Sequence, residues 1–336
     1  MICNDSALID VWRGDFLESQ HRGHIVVCGP DGQIIAAWGD STAVILPRSS
    51  CKILQALPLM ASGAAANAGL TSQQLALSCA SHQGAVIHTD PVLKWLHALG
   101  KTKDDLRCGP QIPNDIPARD ALIKSDQSPC RHHNNCSGKH CGLLTLSDHL
   151  GAGPEYHHID HPVQRAVLAA FEDVTGETSP GYGIDGCSAP NHACTMTGLA
   201  RSMAFAATAT EGGAGFQDGA YQLRNAMMAH PELVAGETRA CTELMRAAPG
   251  VALKTGAEAV YTAIVPSRGI GIAVKMTDGA FRASEAVITA LLVRIGVLDA
   301  AHPAAQTRLG PIKNWDGLVT GRMDVTDDFG ALTDKI

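Results

Sequence analysis

Apolar and polar positions alternate along the first forty residues. Segments 7–13, 23–28 and 33–38 keep a two-residue period and predict strands. Gly29-Pro30-Asp31-Gly32 predicts the turn between the last two. The period then lengthens. Over 49–62 the apolar residues Ile53, Leu54, Leu57 and Met60 fall at helical spacing, with Pro58 inside the run. Thr71-Ser72-Gln73-Gln74 has the form of a capping box opening a helix over 75–79. Further helices are predicted over 88–99, 137–150, 162–174, 195–208, 215–229 and 281–295. Segment 108–130, rich in Pro, Asp and Asn, reads as a long loop, and 211–215 as a linker. Strands return over 259–265 and 270–276, joined by Pro266-Ser267-Arg268-Gly269, and the chain closes on a polar tail. Strands at both ends and helices between them predict an α+β fold. The terminal strands, within 1–48 and 250–336, form one antiparallel sheet. A helical subdomain, most of 49–249, is inserted between them in a single catalytic unit, 1–336.

Composition narrows the function. Apolar residues make up 45% of the 336 and charged residues 18%, as in ordinary globular chains. With 26 basic and 33 acidic residues the net charge is −7, and no dense basic run occurs. That argues against nucleic acid and an anionic membrane surface as partners. The N-terminal stretch has neither a basic start nor an apolar core of the kind that directs export, and no run of 18 apolar residues exists. A cytoplasmic location is therefore expected. The eleven cysteines are expected to be reduced thiols, most of them small buried hydrophobes.

Two short motifs carry nucleophile chemistry. Ser49-Ser50-Cys51-Lys52 follows Pro47-Arg48 and sets a Ser three residues before a Lys, on one face if the segment is helical. A serine hydroxyl needs a base, and a lysine serves when burial or a second cation lowers its pKa. The competing reading is an N-cap serine and a surface lysine. Lys254-Thr255-Gly256 lies just before the strand at 259–265, and Ser-x-x-Lys early with Lys-Thr-Gly late is the order found in serine β-lactamases. Between them, Ala80-Ser81-His82-Gln83-Gly84 places Ser81 at a predicted helix end before a glycine turn.

A third cluster, His132-His133-Asn134-Asn135-Cys136-Ser137-Gly138-Lys139-His140-Cys141-Gly142, concentrates ligand-type residues at a helix start. Gly183-Ile184-Asp185-Gly186-Cys187-Ser188-Ala189-Pro190 offers a second thiol and a carboxylate in a turn. Two thiolates and a nitrogen suit zinc. Spacing alone favours His140 as the nitrogen ligand; the alternative is a set of capping groups around inert thiols.

Taken together, Pro47-Arg48-Ser49 with Lys52, Ala80-Ser81-His82, the Asn135–His140 and Gly183–Pro190 blocks and Lys254-Thr255-Gly256-Ala257-Glu258 resemble the Rhizobium etli-type (class 3) L-asparaginases. The resemblance spans nearly the whole chain. It implies a fold similar to serine β-lactamases and serine-dependent glutaminases, a homodimer, and L-asparagine as substrate. It also implies two Ser-Lys tandems, Ser49 with Lys52 and Ser81 with Lys254, and a zinc held by Cys136, Lys139 and Cys187 that supports substrate binding. Arg48, Asn134, His140, Asp185 and Glu258 are then expected around the substrate, with Arg48 at its α-carboxylate and Asp185 or Glu258 at its ammonium group. Alternatives are a glutaminase, a β-lactamase, a non-catalytic acyl-accepting sensor and a purely structural zinc protein.

Overall fold

The computed structural model describes residues 4–331. The chain forms two compact units. One comprises the residues up to Ser50, Cys194–Thr208 and the residues from Glu243 on; the other comprises Cys51–Ala193 and Ala209–Thr242.

The first unit is built on an eight-stranded sheet in which every pairing is antiparallel. Its order is Ile312–Lys313, Val319–Val325, Ser6–Arg13, Phe16–Cys28, Ile270–Met276, Val260–Val265, Ala252–Gly256, with Ile34–Trp38 also paired to Phe16–Cys28. The expected union of N- and C-terminal strands is therefore present, in a mixed α+β fold. Val26 faces Ala273 and Ile9 faces Val325 in register. Val260–Val265 is buried along its whole length, so both of its faces are covered and it reads as a continuous apolar run. Each fully buried Val, Ile or Leu contributes about 1.5–3 kcal/mol. Helix Met196–Thr208 packs on Ile270–Met276, and Gly271 permits the approach. A Cβ there would lie 2.1 Å from the Ala204 amide nitrogen and 2.3 Å from the Ala200 carbonyl oxygen.

The second unit is helical. Lys52–Ala61 is its centre, buried from Lys52 to Leu59, with Ser137–Leu150, Pro162–Thr175 and Gln217–Ala229 packed around it. The Thr71 capping box is present in both arms and opens helix Ser72–Ser78. Helix Ser137–Leu150 is buried continuously from Ser137 to Ser147. It approaches Ser72–Ser78 so closely that a Cβ on Gly138 would lie 2.4 Å from the Leu77 carbonyl oxygen.

Four expectations need correction. The segment read as a loop, 108–130, contains helix Ile116–Lys124, capped by the Asp115 carboxylate on the Ala118 N–H with Pro117 in the first turn. The polar tail supplies helix Pro303–Leu309 and two sheet strands. The helix expected from residue 49 begins at Lys52, and Ser49 lies on a 3-10 turn, Arg48–Cys51. Lys254-Thr255-Gly256, expected just before the sheet, is itself the end of strand Ala252–Gly256 within it. Residues 194–208 group with the sheet strands in the first unit.

Candidate active site

In the sheet unit, the Arg48–Cys51 turn meets the strands at Thr262. Its hydroxyl donates to the Ser50 carbonyl oxygen and lies equally, 3.2 Å, from the Lys254 carbonyl oxygen, with which Thr262 is in register. Ser50 closes the turn through its own hydroxyl on the Pro47 carbonyl oxygen at 2.7 Å. Ser49 is half-buried and Lys254 is 2% exposed, its Nζ donating to the Thr255 carbonyl oxygen at 2.8 Å. Arg48 adopts φ +54°, a left-handed conformation uncommon for a side chain of its size. Non-glycine residues held this way are frequent at functional sites. Glu258 also has positive φ but is exposed on the turn after Gly256, where its carbonyl oxygen accepts from Lys275 Nζ at 2.7 Å.

In the helical unit, Lys52 is 1% exposed. Its Nζ donates to the Ala80 carbonyl oxygen, to Ser81 Oγ at 3.0 Å and to Cys136 Sγ at 3.1 Å. One buried lysine side chain thus joins three of the segments picked out from sequence. Ser81 is not the end of a helix: Ser72–Ser78 stops three residues earlier, and Ser81 lies on the following loop, its N–H held by the Val234 carbonyl oxygen at 2.9 Å. The direct Lys52–Ser81 bond is a pairing that spacing could not show.

Cys136, Lys139 and Cys187 converge in the same unit. Cys136 and Lys139 sit at the start of helix Ser137–Leu150. Cys187 sits at the tip of the hairpin joining Tyr182–Ile184 to Pro190–His192, where Ser188 turns at φ +69° and its N–H donates to the Asp185 carbonyl oxygen. Lys139 Nζ lies 3.0 Å from Cys187 Sγ. A hydrogen bond from Cys136, then Lys139 and His140, pull the Cys187 thiol far below its usual range despite burial; the same bond and burial push Cys136 far up. Burial lowers the Lys139 pKa, but the two sulfurs outweigh it and raise it. Cys136 Sγ also lies 2.8 Å from Asn135 Oδ1.

These donors fit a zinc ion in kind: two sulfurs and an amine, close together and excluded from water. His140 strengthens the fit. Its Nδ1 lies 2.8 Å from the Tyr156 hydroxyl, and its buried ring interacts with the Cys187 sulfur. Asn134 shapes the helix start: its Oδ1 accepts from the Cys136 N–H and its Nδ2 donates to the Gly109 carbonyl oxygen, both at 2.9 Å. Asp185 is half-buried, near enough to Lys139 for its charge to favour the ammonium.

Two other groups bring potential metal ligands within 4.8 Å of one another: Cys130, His132 and His133, and Glu155, His157 and His158. Both have competing partners. His133 Nδ1 accepts from the Cys130 N–H and Lys103 Nζ bonds the Cys130 sulfur, while Arg107 grips Glu155.

No helix among the described residues is long and apolar enough to cross a membrane. Comparison with known proteins adds an independent line. No curated protein matches the chain. Among solved structures, Mglu in its tris and glutamate form is 14% identical, with a TM-score of 0.49, over 88% of this chain and 65% of that one. The chain thus spans less than two thirds of that protein's length. A beta-lactamase from Mycobacterium bovis is 13% identical, with a TM-score of 0.37, over 81% of this chain and 94% of the other. The L-asparaginase II family model matches residues 9–325, so the chain belongs to the L-asparaginase II family.

Proposed function

We propose that the protein hydrolyses the side-chain amide of L-asparagine to L-aspartate and ammonia through an acyl-enzyme. The observation that carries this reading is the buried Lys52 side chain, its Nζ within hydrogen-bond distance of Ser81 Oγ and Cys136 Sγ, in a member of this family. Ser49 attacks the amide carbon, and its proton passes to the neutral amine form of a lysine: Lys52, three residues on in the chain, or Lys254, in the same unit as Ser49. The amide nitrogen leaves as ammonia after taking up that proton. Water then cleaves the Ser49 ester and releases aspartate. Arg48 is suited to the α-carboxylate, and Asp185 to the ammonium group in preference to the exposed Glu258.

Cys136, Lys139 and Cys187 would hold the zinc, with His140 Nε2 facing the same cluster. There the ion would supply Lewis-acid polarisation of substrate polar groups. The protein's own part is to keep both thiols and the amine buried and adjacent. Purified protein is expected to contain one zinc per chain by metal analysis. Chelation should raise KM for asparagine more than it lowers kcat; full activity in metal-free protein would remove zinc from the reading.

Ammonia release from asparagine, glutamine and a β-lactam tests the substrate. Asparagine should be preferred. One methylene is worth about 1–3 kcal/mol in a pocket, so the glutamine specificity constant should be about 10–200-fold lower. Equal constants for the two amino acids would establish a glutaminase reading of equal standing.

A further inference from the structure

His82 follows Ser81 and is 1% exposed, yet the reaction above gives it no task. Its hydrogen bonds determine its state. The Gly84 backbone N–H can only donate, and it points to His82 Nδ1 at 3.1 Å, so Nδ1 is the acceptor. In a neutral ring the proton is then on Nε2, which lies 2.9 Å from Ser137 Oγ and donates to it. Ser137, itself 0% exposed, passes its own hydroxyl proton to the His132 carbonyl oxygen at 3.0 Å. Every donor in this chain has one acceptor, and the direction runs one way.

The surroundings support the neutral ring. His88 stacks on it, with centroids 4.8 Å apart and planes 9° from parallel. His88 Nε2 donates to the Glu232 carbonyl oxygen at 2.8 Å, which leaves its Nδ1 without a proton. Burial, then His88 and the Lys52 ammonium, all oppose a charge on His82. The groups facing the ring from the packed elements are His88, His132, His133 and Lys52; among the charge interactions on it, no carboxylate is a leading one.

The position of this relay gives it a consequence. The His82 backbone N–H donates to the Asn135 carbonyl oxygen at 3.1 Å, so main chain and ring both pin the loop to the start of helix Ser137–Leu150. On one side of the pinned joint is Ser81, and on the other Cys136. Lys52 Nζ must span the two, 3.0 Å from one and 3.1 Å from the other. We infer that His82 is a positioning residue of the amide hydrolysis: as the Nε2–H tautomer, joined to Ser137, it fixes the distance between Ser81 and Cys136 that lets one lysine serve both. This rests on the Ser-Lys reading and adds to it.

Nitrogen-15 NMR of histidine-labelled protein reads the tautomer directly. His82 should show an unprotonated Nδ1 and a protonated Nε2 from pH 6 to 8; a protonated Nδ1 would overturn the assignment. Kinetics read the role. His82→Phe and Ser137→Ala should each lower kcat about 10–100-fold, the range seen when supporting partners of a site are lost, with KM within about threefold. His82→Gln should recover much of kcat, because a Gln Nε2 can still donate to Ser137. Should His82→Phe fail to fold, Ser137→Ala and His82→Gln decide the matter. Wild-type kcat in Ser137→Ala, or His82→Gln no better than Ser137→Ala, would sink the inference. Wild-type turnover of asparagine is the control, since its absence would defeat the asparaginase reading and not the tautomer.

Discussion

The two units solve the burial problem in opposite ways. In the sheet unit, strands such as Val260–Val265 and Ile270–Met276 bury Val, Ile, Ala and Met, and their polar residues Thr262 and Lys254 are tied to local carbonyl groups. The helical unit buries Lys52, Ser81, His82, His88, Asn134, Ser137, Lys139, His140, Cys136 and Cys187 in and around one helix start. Interior polar groups cost stability unless paired, and most of these are paired with one another. One unit therefore spends its interior on cohesion and the other spends much of it on chemistry. Substitutions among the strands of the first should read out as lost stability and those around the helix start of the second as lost rate; Ser49, on the turn at the edge of the first unit, belongs with the second group in its readout.

The widest separation between the two readouts should come from Ser49→Ala. This substitution removes the proposed nucleophile from a turn braced by Thr262 and Ser50, not by Ser49 itself. We expect a loss on the order of 10⁴-fold or more in kcat with unchanged circular dichroism and melting. Retention of wild-type turnover would show that Ser49 is not the nucleophile. A matched glycine pair sharpens the contrast. Gly271→Ala forces a methyl against the backbone of helix Met196–Thr208, and Gly138→Ala forces one against Leu77. Each should cost about 1–3 kcal/mol in denaturant melts, as overpacking does. Kinetics per folded molecule should stay normal for Gly271→Ala and fall for Gly138→Ala, because Gly138 lies between Cys136 and Lys139. Equal kinetic effects would break the division between the units.

Acid should discriminate them next. His82 and His88 are fully buried with pKa values below the ordinary histidine range, chiefly through burial, and burial likewise holds His132 down to about 4. The sheet unit contributes His24 as a residue of this kind. A group with a depressed folded pKa binds protons more readily in the unfolded chain. Its stabilisation is therefore full above about pH 6.5 and is lost as pH falls below that value. Each fully buried ring would cost at most about 1.4 kcal/mol per pH unit. Hydrogen exchange from pH 7.5 to 5 should show protection lost first in the helical unit; earlier loss in the sheet would contradict this. The smallest effect is expected from Thr71→Ala, which removes a cap on exposed backbone and should lower stability by about 1 kcal/mol with no change in kcat.

Legibility in the sequence followed the same line. Period-two runs at both ends predicted the strands that pair, and Thr71 with Gln74 predicted the cap that forms. The helix at Ile116–Lys124 had its signals, Asp115 as cap and Pro117 in the first turn, but the surrounding Pro and Asn residues masked them. Val319–Val325 is half exposed, so its composition resembles a tail; only its register with Ser6–Arg13 makes it a strand. Ser49, Ser81, Cys136 and Cys187 could be picked out as chemical types. The Lys52–Ser81 bond and the His82–Ser137 relay could not, because both depend on how a loop lies against a helix start. His82 was visible only as a neighbour of Ser81.

The sheet also has a history in time. Val26 pairs with Ala273, and Ile9 with Val325, so about 250–320 residues separate the partners along the chain. At roughly 5–20 residues per second, the ribosome leaves the first strands, which pair with one another, without their C-terminal neighbours for about 10–60 s. Most of the helical unit, Cys51–Ala193, has emerged by then. The nascent chain must therefore carry open, hydrogen-bond-hungry strand edges past a unit able to collapse on its own. Chaperone demand during synthesis should fall on residues 6–38, although in the finished protein these belong to the more regular and more apolar half.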